Sequence, residues 1–415
     1  MSYIYWPSLD RNYIREYLRS CHTHEIMGFI SDSTECPAGG GTTILGPSLT
    51  LKAAINENAE IVLFGTPEQI ANKVEKIESF TPGSSKYCLP FFLLHENKIK
   101  FKDLQYFPLE YIINIIRKIK QSKKIVVLNG NCQITYLTQI LARHKEFKDK
   151  YFIIDIPRIF EFSKQLDSIK LAEVIKSADV ILSQPIKSNN KFSSLLSCES
   201  LLSLKSDYTK FVLIPNITFA GYWPQMRPID GCTYNPITLA GQKLFPYADF
   251  NIIKFLNDEV SDCDIMKEIR SIDFYSKSEV LENLENELIT STKREEGCDV
   301  KIFDFVKNNL FNRIMFYSFN HPKPFLIEEL AKRIFVYFGF KSSAINDLDE
   351  LRTQSQMHWQ QQYIYPSVEL AICATVTNES LYSNRYVNPV AMSAIEYLQT
   401  YINSLKISKA KFLKF

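Results

Sequence analysis

Short apolar runs alternate along this chain with stretches of helical spacing. Tyr3–Trp6, Glu25–Ile30, Glu60–Phe64 and Tyr87–Leu94 read as strands, rich in β-favouring residues. Between them, Tyr13, Ile14, Tyr17 and Leu18 share one helical face, and Leu49–Asn56 reads as a short helix. Thr66-Pro67-Glu68-Gln69 opens another helix, with Thr66 as N-cap, Pro67 at N1 and Gln69 closing a capping box. The alternation resumes beyond residue 108. Residues 109–119 carry Ile112, Ile113, Ile115, Ile116 and Ile119, an amphipathic helix. Lys124–Leu128, Tyr151–Ile156, Val180–Gln184 and Phe211–Ile214 read as strands, with helical stretches between them that include Ile169–Ser177 and Phe192–Leu204. Strand–helix alternation predicts parallel, doubly wound sheets, so the fold class is α/β. From about residue 276 helical spacing dominates, with an apolar helix over Ile302–Tyr317. A second covers Pro324–Phe338, with Leu326, Leu330, Ile334 and Phe338 in a stripe.

These patterns suggest an accessory unit over residues 1–110 and a basic hinge over 111–122. A larger unit covers 123–415, with an α/β core to about 275 and a mainly helical remainder. The hinge takes its name from Arg117, Lys118, Lys120, Lys123 and Lys124, a run that reads as a solvated face or as an attractor of anionic ligands or membrane. Gly28-Phe29-Ile30-Ser31-Asp32 is similar to a strand end common in Rossmann-like domains of sugar-modifying enzymes. The first strand–helix turn, Pro7 to Asn12, has no glycine. Gly39-Gly40-Gly41 leads into no helix, so a loop is favoured over a dinucleotide site.

Composition adds exclusions. With 415 residues, 46% hydrophobic and 23% charged, the chain is globular and long enough for two or three domains. A formal net charge of +2 argues against a global nucleic-acid binder. Nine cysteines, odd in number and without a C-x-x-C, point to reduced thiols in a cytoplasmic protein and to no structural metal. The first twenty residues have no signal-peptide pattern, and no run is apolar enough to span a bilayer. Peripheral association with the inner face of a membrane stays open.

One cysteine stands apart. The buried strand Lys124–Leu128 runs into Asn129-Gly130-Asn131-Cys132-Gln133 and then into a helix with Leu137, Ile140 and Leu141 on one face. That context sets Cys132 near a helix N-terminus, where backbone N–H groups and the helix dipole favour a thiolate and could hold an oxyanion. The alternative is a small buried residue at a sheet edge. Polar groups at strand carboxyl ends converge on one crevice, which assigns Asn131, Gln184 and Asn216 to acyl positioning. Each of these amides could equally be a strand-end cap.

Asn-Gly-Asn-Cys-Gln at 129–133, Ala178 to Pro185 (ADVILSQP) and Ile214 to Pro224 (IPNITFAGYWP) resemble the WcbI family of polysaccharide-biosynthesis enzymes, over about residues 123–400. The resemblance implies coenzyme A binding, acetyl transfer to capsular sugars and a layout related to SGNH hydrolases, with Gly130-Asn131-Cys132 in the place of the Gly-Asp-Ser block. It also implies a late base. Of six histidines, His22, His24 and His95 lie in the first unit and His144 lies about three turns beyond Cys132. His358 sits in a Gln-rich stretch. His321, in Ser318-Phe319-Asn320-His321-Pro322, is chosen as the base, with Asn320 to orient it.

Gly130, Gln133, Arg313, Asn320 and Lys323 are assigned to coenzyme A, and Tyr222 and Trp223 to an acceptor channel with Arg227 beside it. The function expected is acyl-CoA-dependent O-acetylation of a sugar or polysaccharide intermediate. Either Cys132 carries the acyl group, or His321 deprotonates the sugar hydroxyl directly. The rivals are an SGNH-type esterase or thioesterase, and a non-catalytic coenzyme A- or glycan-binding protein that docks a glycosyltransferase or other capsule-assembly partner.

Overall fold

The computed structural model describes residues 2–6, 26–31, 44–45, 60–63, 67–80, 88–90, 98–159, 167–189, 194–226, 249–341, 348–354, 361–372, 382–384 and 388–408. The Pro7–Asn12 turn, Arg11–Arg19, Gly39–Gly41, Leu49–Asn56, Thr66, Arg227, His22, His24, His95 and His358 lie outside the described residues.

Contacts divide the chain into two units. One comprises residues 1–129 and 144–211, the other 130–143 and 212–415. Among the described residues, the strands of the first unit form one five-stranded sheet and the greater part of another. Strands β1 (Ser2–Trp6), β2 (Ile26–Ser31), β3 (Ile44–Leu45), β4 (Glu60–Leu63) and β5 (Cys88–Pro90) form a parallel sheet in the order β3-β2-β1-β4-β5. Strands β6 (Lys98–Lys100), β7 (Lys124–Asn129), β8 (Tyr151–Asp155), β9 (Val180–Ser183) and β10 (Lys210–Leu213) form the second, in the order β10-β9-β7-β8-β6. Apart from Lys124 at its start, every residue of β7 is buried, as is every residue of β8 and β9. Such continuous apolar runs belong to a parallel sheet covered on both faces.

The helix Leu109–Lys120 contributes Ile112, Ile115, Ile116 and Ile119 to the same core as Ile125, Val127, Ile154 and Ile181. Residues 111–122 are thus largely a packed helix, where the run of basic residues had suggested a hinge. The basic groups are the polar face that its apolar face requires.

In the second unit the helix Gln133–Arg143 packs against Pro324–Tyr337 and Leu348–Gln354. The long helix Lys277–Glu295 starts with a capping box between Ser276 and Glu279 and packs on Pro366–Ala371 and Phe303–Asn309. The single helix expected over Ile302–Tyr317 is a helix at Phe303–Asn309 followed by a strand, β11 (Phe316–Ser318). Leu310, Met315 and Phe316 are buried, so the apolar run continues although the helix does not. Strand β11 pairs antiparallel with β12 (His321–Pro322). Among the described residues no helix is long and apolar enough to cross a membrane.

Asp249 caps the helix Phe250–Asn257, accepting from Ile252 N–H at 3.1 Å. The Tyr365 hydroxyl donates to both of its carboxylate oxygens, at 3.0 and 2.9 Å. Burial pushes the Asp249 pKa up to about 6, against the hydrogen bonds that lower it. A folded pKa above the unfolded value means that the proton is held more tightly in the folded state. The associated stability is complete below about pH 4 and is lost as pH rises through about 6. Asn at 249 keeps the cap and removes the titration. Between pH 4 and pH 7 the unfolding free energy of the wild-type chain should fall relative to Asp249→Asn, by on the order of 2 kcal/mol. Parallel pH curves from urea titrations would refute this.

Candidate active site

The chain leaves β7 at Asn129, turns at the buried Gly130, and enters the helix Gln133–Arg143. Asn131 builds the turn. Its Oδ1 accepts from Gln133 N–H at 3.0 Å and its backbone carbonyl accepts from Ile134 N–H at 3.1 Å. Asn131 Nδ2 donates to Asn216 Oδ1 at 2.8 Å, which brings two of the three expected amides together. Cys132 sits at the mouth of the helix, half-buried, with its thiol reduced.

His321 comes from the β11–β12 hairpin. Its Nε2 lies 3.9 Å from Cys132 Sγ, within reach of a sulfur hydrogen bond. Ser318 Oγ is 2.7 Å from His321 Nδ1, across the two-residue turn Phe319-Asn320. The imidazole is 8% exposed, and burial alone pulls its pKa down to about 4. It is therefore neutral at physiological pH. In the tautomer whose Nδ1–H donates to Ser318 Oγ, Nε2 presents its lone pair to the thiol. The Cys132–His321 pair expected from the sequence is assembled. The group on Nδ1 is Ser318 rather than the expected Asn320.

Gln133 is a strut between segments. Its Nε2 donates to Ile217 O at 2.8 Å and to Asn320 O at 3.1 Å, while its Oε1 accepts from Ile217 N–H at 3.1 Å. It is 2% exposed. One carboxamide thereby joins the cysteine turn, the Asn216 segment and the His321 hairpin. The bond from Phe219 N–H to Phe319 O at 2.8 Å adds a second tie.

Tyr222 and Trp223, expected in an acceptor channel, are core residues. Tyr222 packs edge-on to Phe219, Phe316 and Trp223, and its hydroxyl donates weakly to Leu310 and Arg313 carbonyls. A Cβ at Gly221 would lie 2.5 Å from Phe219 Cζ, so that position requires glycine. The Gly-Tyr-Trp part of the motif is packing.

Arg313 and Lys323 lie beside the hairpin. Arg313 is exposed, with its guanidinium 3.8 Å from the centre of the Phe325 ring. Lys323 Nζ is 5.5 Å from the Tyr317 ring. Burial, then the neighbouring Arg313, lowers the Lys323 pKa. Neither cation forms an ion pair with a carboxylate among the described residues. Gln184 belongs to the first unit, where its N–H donates to Asn129 O at 3.0 Å. His144, set aside from catalysis on sequence grounds, caps the helix Lys145–Lys150 through Nδ1. Among the described residues no cluster of His, Cys, Asp and Glu could hold a metal.

A second polar cluster has no local signature in the sequence. Tyr136, one turn beyond Cys132, donates to Glu328 Oε1 at 3.0 Å. Arg352 grips Glu328 with Nε and Nη2 at 2.8 and 2.7 Å. Glu328 is buried in the helix that follows His321, so this cluster ties that helix to the one that follows Cys132.

Residues 125–343, just over half of the chain, match the family described as polysaccharide biosynthesis enzyme WcbI. The chain belongs to the WcbI family. The matched span contains both Cys132 and His321. A solved structure of WcbI itself, a polysaccharide biosynthesis enzyme, aligns with a TM-score of 0.57 at 19% identity. The alignment covers 68% of this chain and 90% of that one. That structure is of the native protein without a disulfide bond between coenzyme A and one of its cysteines. At this identity the likeness shows a shared fold. No curated protein matches the chain.

Replacing Gln133 by Leu strands the Ile217 N–H and two carbonyls in a buried place. Gln133→Leu should cost about 2–5 kcal/mol in urea unfolding, since each unsatisfied group costs roughly 1–3. A loss below about 1 kcal/mol would remove Gln133 from its role as strut.

Proposed function

We propose that this member of a polysaccharide-biosynthesis family is an acyl-CoA-dependent O-acetyltransferase acting on a sugar or polysaccharide intermediate. The observation that carries the reading is the half-buried Cys132 thiol 3.9 Å from a neutral, Ser318-held His321. A thiol paired with a neutral imidazole is the arrangement of a nucleophile with its base. Acetyl-coenzyme A supplies an acyl group already activated as a thioester.

In this reading Cys132 passes its proton to His321 Nε2 and its sulfur bonds the acyl carbon. His321 returns the proton to the departing thiol of the donor. It then takes a proton from the sugar hydroxyl, whose oxygen bonds the acyl carbon as the bond to Cys132 Sγ breaks. Finally, His321 gives that proton back to the sulfur. Asn216, whose Oδ1 is engaged by Asn131, has Nδ2 as its donor end for the oxyanion.

The fit of coenzyme A rests on Arg313 and Lys323. Two cations that repel one another, with no carboxylate partner among the described residues, suit a dianionic phosphate. The Phe325 and Tyr317 faces beside them suit a purine.

Mass spectrometry after incubation with acetyl-CoA should find an acetyl group on Cys132, and His321→Ala should slow transfer by about 10²–10⁴. Turnover without an acyl-Cys132 adduct would eliminate the covalent route. Coenzyme A should raise the thermal midpoint by mass action, and Arg313→Glu should abolish the rise. No shift at saturating coenzyme A would remove the whole reading.

The pH behaviour follows from the direction of the His321 shift. A base with a pKa pulled down to about 4 stays unprotonated until the medium is strongly acidic. His321 should therefore impose no acid limb between pH 8 and pH 5. Loss of kcat/KM with an apparent pKa near that of free histidine would contradict a buried base.

A further inference from the structure

The second sheet of the first unit ends in a rim of lysines. Lys124 opens β7 and Lys210 opens β10, both exposed. Lys120, Lys176 and Lys205 stand at the carboxyl ends of the helices Leu109–Lys120, Ser168–Ser177 and Cys198–Leu204. Lys148 lies in the last turn of the helix Lys145–Lys150, directly ahead of β8. In a parallel sheet each crossover helix runs back against the strands, so helix ends and strand starts share one edge.

The contacts agree. Lys120 Nζ donates to Ser177 O at 2.9 Å and to the Tyr208 hydroxyl at 3.3 Å. Tyr208 in turn donates to Lys176 O at 3.3 Å. Lys210 N–H donates to Asp179 O at 2.9 Å, and Lys124 is in register with Tyr151, the first residue of β8. Lys123 feels Asp149 and Lys148 together.

Among the described residues, the acids Asp149, Asp179 and Asp207 share this edge, each just ahead of a strand. Asp179 is already held by Ile125 N–H at 2.8 Å and by Lys120 at 3.6 Å. The rim is thus strongly positive in a chain whose formal charge is only +2. Helix dipoles account for cations at the helix ends. They do not account for Lys124 and Lys210 on strands. Nor do they explain Tyr208, 63% exposed in the middle of the rim with Lys120 Nζ 4.9 Å from its ring centre.

We propose that this lysine rim docks the protein on an anionic phospholipid surface. Lysine point charges match diffuse headgroup charge, whereas bidentate nucleic-acid recognition draws on arginine. An exposed tyrosine among them suits the boundary between headgroup and acyl chain. The proposal is independent of acyl transfer, and its test reads no activity.

The full chain should float with phosphatidylcholine vesicles only when they also contain phosphatidylserine, and raised salt should release it. Exchanging Lys124→Glu and Lys210→Glu together should weaken binding by at least about tenfold, given the worth of each lysine near such a surface. Lys124→Gln with Lys210→Gln, neutral at the same exposed sites, should give a smaller loss. Tyr208→Ala should weaken binding without altering its salt dependence. Equal binding to both kinds of vesicle, no binding to either, or binding untouched by the paired substitutions would overturn the proposal. So would binding to short duplex DNA without binding to the vesicles.

Discussion

The site depends on one buried carboxamide. Gln133 satisfies an N–H and two carbonyls from segments that are far apart in the chain, and it does so next to Cys132. A loop backbone that approaches a helix must hydrogen-bond something, because burying it unpaired is costly. A glutamine in the first turn of the helix meets that need with both ends of its amide. The result is a cysteine turn, an Asn216 segment and a histidine hairpin held in mutual register. The distance from Cys132 to His321 follows from that register more than from any direct attraction between the two side chains.

Burial does a second piece of chemistry. The group on His321 Nδ1 is the Ser318 hydroxyl. A carboxylate there would stabilise the imidazolium and raise the pKa. A hydroxyl holds the ring in place without doing so, and desolvation then keeps the ring neutral. The same logic runs in reverse at Asp249, where the Tyr365 hydroxyl donates to an acid and desolvation keeps its proton on to about pH 6.

Local pattern was enough to read much of this. The strand Lys124–Leu128, its exit through Gly130 and the helix bearing Cys132 are all neighbours in sequence, so hydrophobic periodicity and turn chemistry reveal them. His321 was identifiable because the Asn-His-Pro break resembles a late block of the family and because the SGNH layout puts its base late in the chain. Ser318 was not, since its role depends on a hairpin that an apolar run disguised as helix. Gln133 looked like a ligand contact because a polar residue at a helix start gives no hint of partners 84 and 187 positions away. Tyr222 and Trp223 mislead for the converse reason: amphipathic aromatics suit both a channel and a core, and only burial separates the two. Tyr136, Glu328 and Arg352 each sit on an ordinary helix, and only the tertiary fold makes them a cluster.

The helix Gln133–Arg143 is bracketed by strands of one unit yet counted in the other. That connectivity has a consequence during synthesis. Cys132 and His321 are separated by 189 residues. At roughly 5–20 residues per second on the ribosome, the histidine emerges about 10–40 seconds after the cysteine. Throughout that interval the apolar stripe of Ile134, Leu137, Ile140 and Leu141 lacks the later helix that will cover it, while β7 and β8 on either side are already free to pair. The nascent chain must therefore hold an uncovered helix and a bare thiol between two strands until its C-terminal half arrives. No single cut in the polypeptide can yield the second unit with its cysteine.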